Sequence, residues 1–138
     1  MKKEGHTVQK FFLDLYQIRP SQLYLDQSKI DRLEGQFDPM NIRNNMPLPV
    51  KKIGGEVFFT DGHTRAYLYD KNKISMIPVY WDEGAMDADL YQVYLKWCRE
   101  QQVVFISDLG DRILPHDEFV EKWINRCEAE EDKLRKNK

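Results

Sequence analysis

The feature that most constrains this chain lies at its centre. Two β-rich runs, Val50-Lys51-Lys52-Ile53 and Glu56-Val57-Phe58-Phe59-Thr60, flank Gly54-Gly55. A Gly-Gly pair between such runs predicts a tight hairpin in which both turn residues take positive φ. Asp61-Gly62 follows at once, then a short helical stretch over residues 63–69, then Asn72-Lys73. The run Met76-Ile77-Pro78-Val79-Tyr80-Trp81 predicts another strand. Strand, turn, short helix and strand make a compact crossover unit. Pro78 predicts that its last strand lies at an edge or ends there.

Upstream, residues 10–18 alternate in part and predict a strand, broken by Pro20 and Ser21. Leu23-Tyr24-Leu25 predicts a short extension of it. Asp26 or Ser28 can cap a short helix whose apolar stripe is Ile30 and Leu33, with Gly35 at its end. Residues 38–49 carry Pro39, Pro47 and Pro49 among Asn and Arg residues, which predicts a loop long enough to act as a lid.

Downstream, Leu90, Val93, Tyr94, Trp97 and Cys98 recur on one face of a helix over residues 88–101, started by Asp87 or Asp89. Residues 103–106 predict a short strand or a connector. Pro115 opens a final helix with Phe119, Val120, Trp123, Ile124 and Cys127 as its buried face. The charged stretch after Glu128 predicts a fraying, solvated end. Trp97 and Trp123 belong to the core on this pattern, and Trp81, at a strand end, stays unassigned.

A chain of 138 residues fits one domain. Its net charge of −2 and pI of 5.9 argue against tight, non-specific gripping of duplex DNA. Cys98 and Cys127 fall within apolar helical patterns and read as small buried hydrophobes. The spacing of His6, His63 and His116 supports no metal cluster. The first residues lack the apolar run of a leader, and no stretch approaches the roughly 18 apolar residues of a membrane span. These features predict a cytoplasmic protein with no membrane partner.

Asp61-Gly62-His63-Thr64-Arg65 is the candidate site. A strand ends just before it and a helix begins within it. The first N–H groups of a helix have no partner inside it, and the helix dipole adds positive charge there. Gly62 lets an anion approach the backbone. Arg65 offers a planar fork of donors suited to phosphate. Thr64 adds a hydroxyl, and His63 can donate a hydrogen bond or move a proton near neutral pH. Asp61 can cap the helix, hold a magnesium ion that bridges phosphates, or accept a proton. A plainer reading fits the same residues: Asp61 as a cap, His63 as a surface histidine and Arg65 as half of a surface ion pair.

Thr60-Asp61-Gly62-His63-Thr64-Arg65-Ala66, followed by Ile77-Pro78-Val79, resembles the signature of the ParB/sulfiredoxin-like superfamily. Ile18-Arg19-Pro20-Ser21-Gln22-Leu23 looks like the family's opening strand, and Pro47-Leu48-Pro49-Val50 looks like the start of its second. The resemblance covers residues 10–82. The helical part, residues 87–132, looks like the extension of small bacterial ParB-like nuclease domain proteins. The resemblance implies an α+β fold, a small mixed β-sheet with flanking helices plus a helical C-terminal extension. It also implies a nucleotide phosphate at Gly62, His63, Thr64 and Arg65.

The branches of that superfamily differ in chemistry. Sulfiredoxins use a cysteine in this turn, where the chain has His63. ParB proteins proper carry a second basic residue before the arginine and a helix-turn-helix domain; here Thr64 precedes Arg65 and the C-terminal helices are acidic. The turn is most similar to the branch that phosphorylates free serine. The catalytic acid of that branch follows the opening strand, where this chain offers Asp26 in place of a glutamate.

Three functions stay open at this point. The first is a phosphotransferase or nucleotide hydrolase that binds a nucleoside di- or triphosphate with magnesium. Its catalytic residues would be His63, Asp61 and Asp26, its phosphate-binding residues Gly62, His63, Thr64 and Arg65, and its metal ligand Asp61. Lys51 and Lys52 could approach the phosphate, although a solvated surface role fits them better. The second is a non-catalytic module that binds a nucleotide as a switch, or docks nucleic acid or a protein. The third, a nuclease, needs several acids around its ion, and only Asp61 is near the turn.

Overall fold

The computed structural model describes residues 9–137. Strand β1 (Phe11–Asp14) is followed by β2 (Leu25–Asp26), α1 (Gln27–Glu34), β3 (Leu48–Ile53), β4 (Glu56–Phe59), α2 (His63–Lys71) and β5 (Met76–Trp81). Then come α3 (Ala88–Glu100), β6 (Ile113–Leu114), α4 (His116–Phe119) and α5 (Asn125–Lys136). The fold is α+β, a small mixed sheet with flanking helices and a helical C-terminal segment.

Gly54 and Gly55 take φ of 56° and 85° and turn β3 back on β4, as the Gly-Gly pair requires. The sheet order is β1-β5-β3-β4. β3 pairs antiparallel with β4 and parallel with β5, and β1 runs antiparallel to β5. The parallel β3–β5 pair needs a crossover, and the chain between them supplies α2. Leu48, Val50, Ile77, Val79 and Phe59 share one face and are fully buried in a cluster with Leu68 and Tyr69 of α2. Phe58 points to the other face and is buried against Tyr91 of α3, ring centroids 5.4 Å apart. The turn between β4 and α2 therefore hangs from a sheet packed on both faces.

Several expectations are corrected. The strand expected over residues 10–18 stops at Asp14, because the Asp14 carboxylate accepts from Tyr16 N–H and tightens Leu15–Gln17 into a 3-10 turn. That turn drops Leu15 into the core. Pro78 lies inside β5, a central strand, and is buried. β3 pairs with β5 only from Val79 onward, so at Pro78 the strand has β1 alone beside it. Leu25 and Asp26 do not extend β1; they pair in parallel with Ile113 and Leu114 in a separate two-stranded sheet.

Residues 103–106 form a connector into a 3-10 helix, Ile106–Asp111, with Asp108 accepting from Val104 N–H and Phe105 N–H. β3 begins at Leu48, inside the expected loop, which also holds a 3-10 turn, Ile42–Asn44. The last helix, expected from Pro115 onward, contains a π-type turn, Val120–Ile124, between α4 and α5. That turn carries Trp123 into the core and leaves Ile124 38% exposed, against the expected buried face. The charged end is helical through Lys136 and mostly exposed.

Candidate functional site

β4 ends at Phe59, and Gly62 reverses the chain into α2 with φ 78°. The left-handed conformation suits glycine. A Cβ there would also stand 2.5 Å from Leu48 Cδ2. Asp61 Oδ1 accepts from Gly62 N–H at 2.8 Å. No side chain caps α2. The first backbone bond of the helix runs from Ala66 N–H to Gly62 C=O at 2.9 Å, so the N–H groups of His63, Thr64 and Arg65 have no acceptor one turn back.

Arg65 leaves the first turn of α2 and donates from Nη1 to the Met46 carbonyl at 2.7 Å. Its Nη2 lies 3.9 Å from the point a Gly62 Cβ would occupy. The guanidinium thus spans the glycine turn and the loop before β3. Beside it opens a cavity of about 350 Å³ lined by Leu33, Gln36, Phe37, Asn45, Met46 and Arg65.

His63 is not the surface residue of the plainer reading, and it is not poised to carry a proton. It is only 4% exposed. Ser21 N–H donates to Nε2 at 2.9 Å, and the Ser21 hydroxyl donates to the Phe59 carbonyl at 2.6 Å. A backbone amide can only donate, so Nε2 is an acceptor and the proton of the neutral ring sits on Nδ1. That Nδ1 is buried without a partner. Burial pushes the pKa down to about 3, with the charge of Asp61 opposing and that of Lys29 assisting. The ring is neutral at pH 7 and staples Ser21 to the turn. Thr64 is buried as well.

Asp61 is exposed. Its neighbourhood is acidic: Asp82 Oδ2 accepts from the Thr60 hydroxyl at 2.9 Å, and the Tyr91 hydroxyl donates to the Thr60 carbonyl at 3.1 Å. Burial raises the Tyr91 pKa, and the charges of Asp61 and Asp82 raise it further. Among the described residues no group of three or more His, Cys, Asp or Glu is arranged to hold a metal.

Asp26, the expected second acid, stands at the start of α1. It caps α1, taking Ser28 N–H at 3.0 Å and the Ser28 hydroxyl at 2.8 Å on Oδ1. His116 Nδ1 lies 2.8 Å from Oδ2. Burial alone would raise its pKa; the hydrogen bonds from His116 and Ser28 outweigh that and hold it below the usual carboxylate value. The α1 residue whose charge reaches the turn is Lys29.

Lys51 donates to the Gly84 carbonyl at 2.6 Å, and Lys52 lies over Trp81, so neither is aimed at the turn. Trp81 is 45% exposed and stacks on Phe11. Cys98 and Cys127 are drawn into apolar surroundings that push their thiols up to about 12 and about 11, which removes them as nucleophiles. Ser21, Lys29, Asp82 and Asn45 complete the surroundings of the turn. Nothing in their local spacing marks them, because pairing of distant elements brings them there. No helix among the described residues is long and apolar enough to cross a membrane.

No protein-family model matches the chain, and no curated protein matches it. Solved structures similar to it include protein Atu1540 from Agrobacterium tumefaciens, at 11% identity and a TM-score of 0.46. That match covers 72% of this chain and 52% of the other, so the chain spans about half the length of Atu1540. They also include sulfiredoxin from Arabidopsis thaliana, at 20% identity and a TM-score of 0.46, covering 63% of this chain and 97% of the other. At this overlap and identity, nothing about chemistry, ligand or partner passes from either structure to this chain.

Proposed function

We propose that the chain is a nucleotide- or phosphate-binding protein, with the phosphate held on the N–H groups of His63, Thr64 and Arg65 and clamped by the Arg65 guanidinium. The observation that carries this reading is the uncapped start of α2 behind a left-handed Gly62. Helix N-termini with free N–H groups attract anions through both hydrogen bonding and the helix dipole. Arg65 reaches over the same glycine, and a charge-assisted contact from it adds to that attraction. The buried, neutral His63 fixes the turn through Ser21 instead of competing for a proton.

Asp61 would hold a magnesium ion, which would offset the negative charge of the phosphates. It is also the only acid of the three expected catalytic residues that faces solvent at the turn. Binding is therefore the reading the geometry supports best, and phosphotransfer or nucleotide hydrolysis would rest on Asp61 with its ion. Calorimetric titration of ATP, ADP, CTP and GTP with magnesium into the natural protein and Arg65→Ala tests it. Micromolar binding of one nucleotide, lost by about 2 kcal/mol or more in the variant, supports a charge-assisted phosphate contact. No binding at millimolar concentration to the folded protein overturns it.

A further inference from the structure

The two edges of the main sheet are finished differently. The outer side of β4 is covered by the chain around Arg19, whose N–H donates to the Val57 carbonyl at 2.8 Å and whose carbonyl accepts from Phe59 N–H at 3.0 Å. β1 forms the other edge, and among the described residues no strand pairs with its outer side. An open edge is a row of backbone donors and acceptors ready for another strand.

The register decides which groups face outward. Leu15 N–H donates to the Ser75 carbonyl at 2.6 Å. Hydrogen-bonded and non-hydrogen-bonded pairs alternate along an antiparallel ladder. Phe11 and Leu13 therefore bond to β5, and Phe12 and Asp14 turn their N–H and C=O groups outward. Phe12 stands opposite Pro78, which has no N–H to offer it. The side chains suit an open edge as well. Phe12 is 42% exposed, and Met76, on the same face of the sheet, is 51% exposed.

Charge selects the partner. Lys10 stands two residues before Phe12, and Asp14 two residues after it. If this edge meets a copy of itself in antiparallel fashion about Phe12, the two Phe12 residues exchange backbone hydrogen bonds, and Lys10 faces Asp14 at both ends. A parallel meeting in the same register would set Lys10 against Lys10 and Asp14 against Asp14. Both side chains keep capacity for such a pair. Lys10 is exposed and donates one of its three N–H groups to the Arg43 carbonyl at 2.7 Å. Asp14 takes Tyr16 N–H on Oδ1 at 2.9 Å and has a second oxygen.

We propose that β1 is a self-association edge, at which two copies of this chain pair antiparallel about Phe12 and join their sheets into one. A two-fold contact of this kind uses the same patch on both copies and closes on itself. It is independent of the phosphate reading, because β1 lies at the opposite edge from β4, whose end leads into the α2 turn.

The test is sedimentation velocity of the full chain from about 1 μM to about 1 mM. A monomer–dimer equilibrium is expected. Like charges directly opposite destabilise a strand pair, and on a two-fold axis each change acts at both ends. Lys10→Glu, which sets acid against Asp14, is expected to weaken the dimer about tenfold. Asp14→Lys, which sets base against Lys10, is expected to do the same. Mixed in equal amounts, these two variants regain opposite charges at both ends, and the mixture is expected to pair about as tightly as the natural protein. Circular dichroism checks that each variant folds. If Asp14→Lys, which removes the cap of the 3-10 turn, does not fold, Phe12→Lys carries the test by setting two ammonium groups face to face on the axis. It is expected to weaken the dimer at least about tenfold.

A chain that stays monomeric at every concentration would overturn the proposal. A dimer that Lys10→Glu and Phe12→Lys leave unchanged would overturn it too, by putting the contact on another surface. So would a mixture of the two charge variants that pairs no more tightly than either alone.

Discussion

Two helix starts in this molecule solve the same problem in opposite ways. Every helix begins with N–H groups that its own backbone cannot satisfy. At α1 the chain spends a carboxylate on them: Asp26 accepts from Ser28 N–H, and its second oxygen is taken by His116. α3 is treated likewise, with Asp87 accepting from Leu90 N–H at 3.2 Å. At α2 the corresponding residue is Gly62, which has no side chain to offer. Its neighbour Asp61 caps only Gly62 N–H. The open start is nevertheless firmly held from below, by Ser21 on His63 and by Phe59 on the sheet. On the proposed reading, the rigid, uncapped start of α2 is the one left for a ligand, whereas the capped starts of α1 and α3 are complete in themselves.

The sharpest way to break this contrast is to uncap α1. Asp26→Ala removes a cap and leaves His116 without its carboxylate, and is expected to cost about 2–3 kcal/mol in urea unfolding. Nucleotide affinity of the remaining folded protein should stay unchanged; a large loss of affinity would mean that Asp26 belongs to the site. The complementary change, Arg65→Ala, should cost about 2 kcal/mol of binding and under about 1 kcal/mol of stability, since it forfeits a single exposed hydrogen bond to Met46.

His63 supplies a pH test of how the α2 start is held. Its folded pKa, about 3, lies below the ordinary value of 6.5. Above pH 6.5 neither state is protonated and its stabilisation is complete. As pH falls below 6.5 the unfolded chain takes up the proton first, so stability is lost by up to about 1.4 kcal/mol per unit until the folded pKa is reached. Between pH 6.5 and pH 5 the natural protein should therefore lose about 2 kcal/mol more than His63→Gln. Equal losses would show that the ring is not buried neutral. The smallest expected effect is at α3, where Asp87→Ala should cost about 1 kcal/mol and leave ligand affinity untouched.

The local parts of this picture were legible in the sequence. Gly54-Gly55 forms the hairpin with both φ positive, and α2 opens where Asp61-Gly62 predicts. The α3 stripe puts Leu90 and Cys98 in the core, and Asp87 is its cap. These features depend on residues close in the chain. What escaped depends on distant pairing. His63 reads as an available histidine until Ser21, which lies 42 residues away, is seen to donate to it. Asp26 reads as a helix cap or a candidate acid, and its second partner, His116 at the start of α4, arrives from 90 residues away. Pro78 reads as an edge marker until β1 and β3 are seen to flank its strand unequally. Asn45 and Met46 read as loop punctuation until Tyr69 and Arg65 fix them.

The most direct test of the central claim follows the backbone amides by nitrogen–proton NMR while pyrophosphate is titrated with magnesium. The account predicts saturable shifts at the amides of Gly62, His63, Thr64 and Arg65, with the amides of Ser28 and Leu90 at the two capped starts staying still. Stationary amides at residues 62–65, or movement of equal size at all three helix starts, would contradict it.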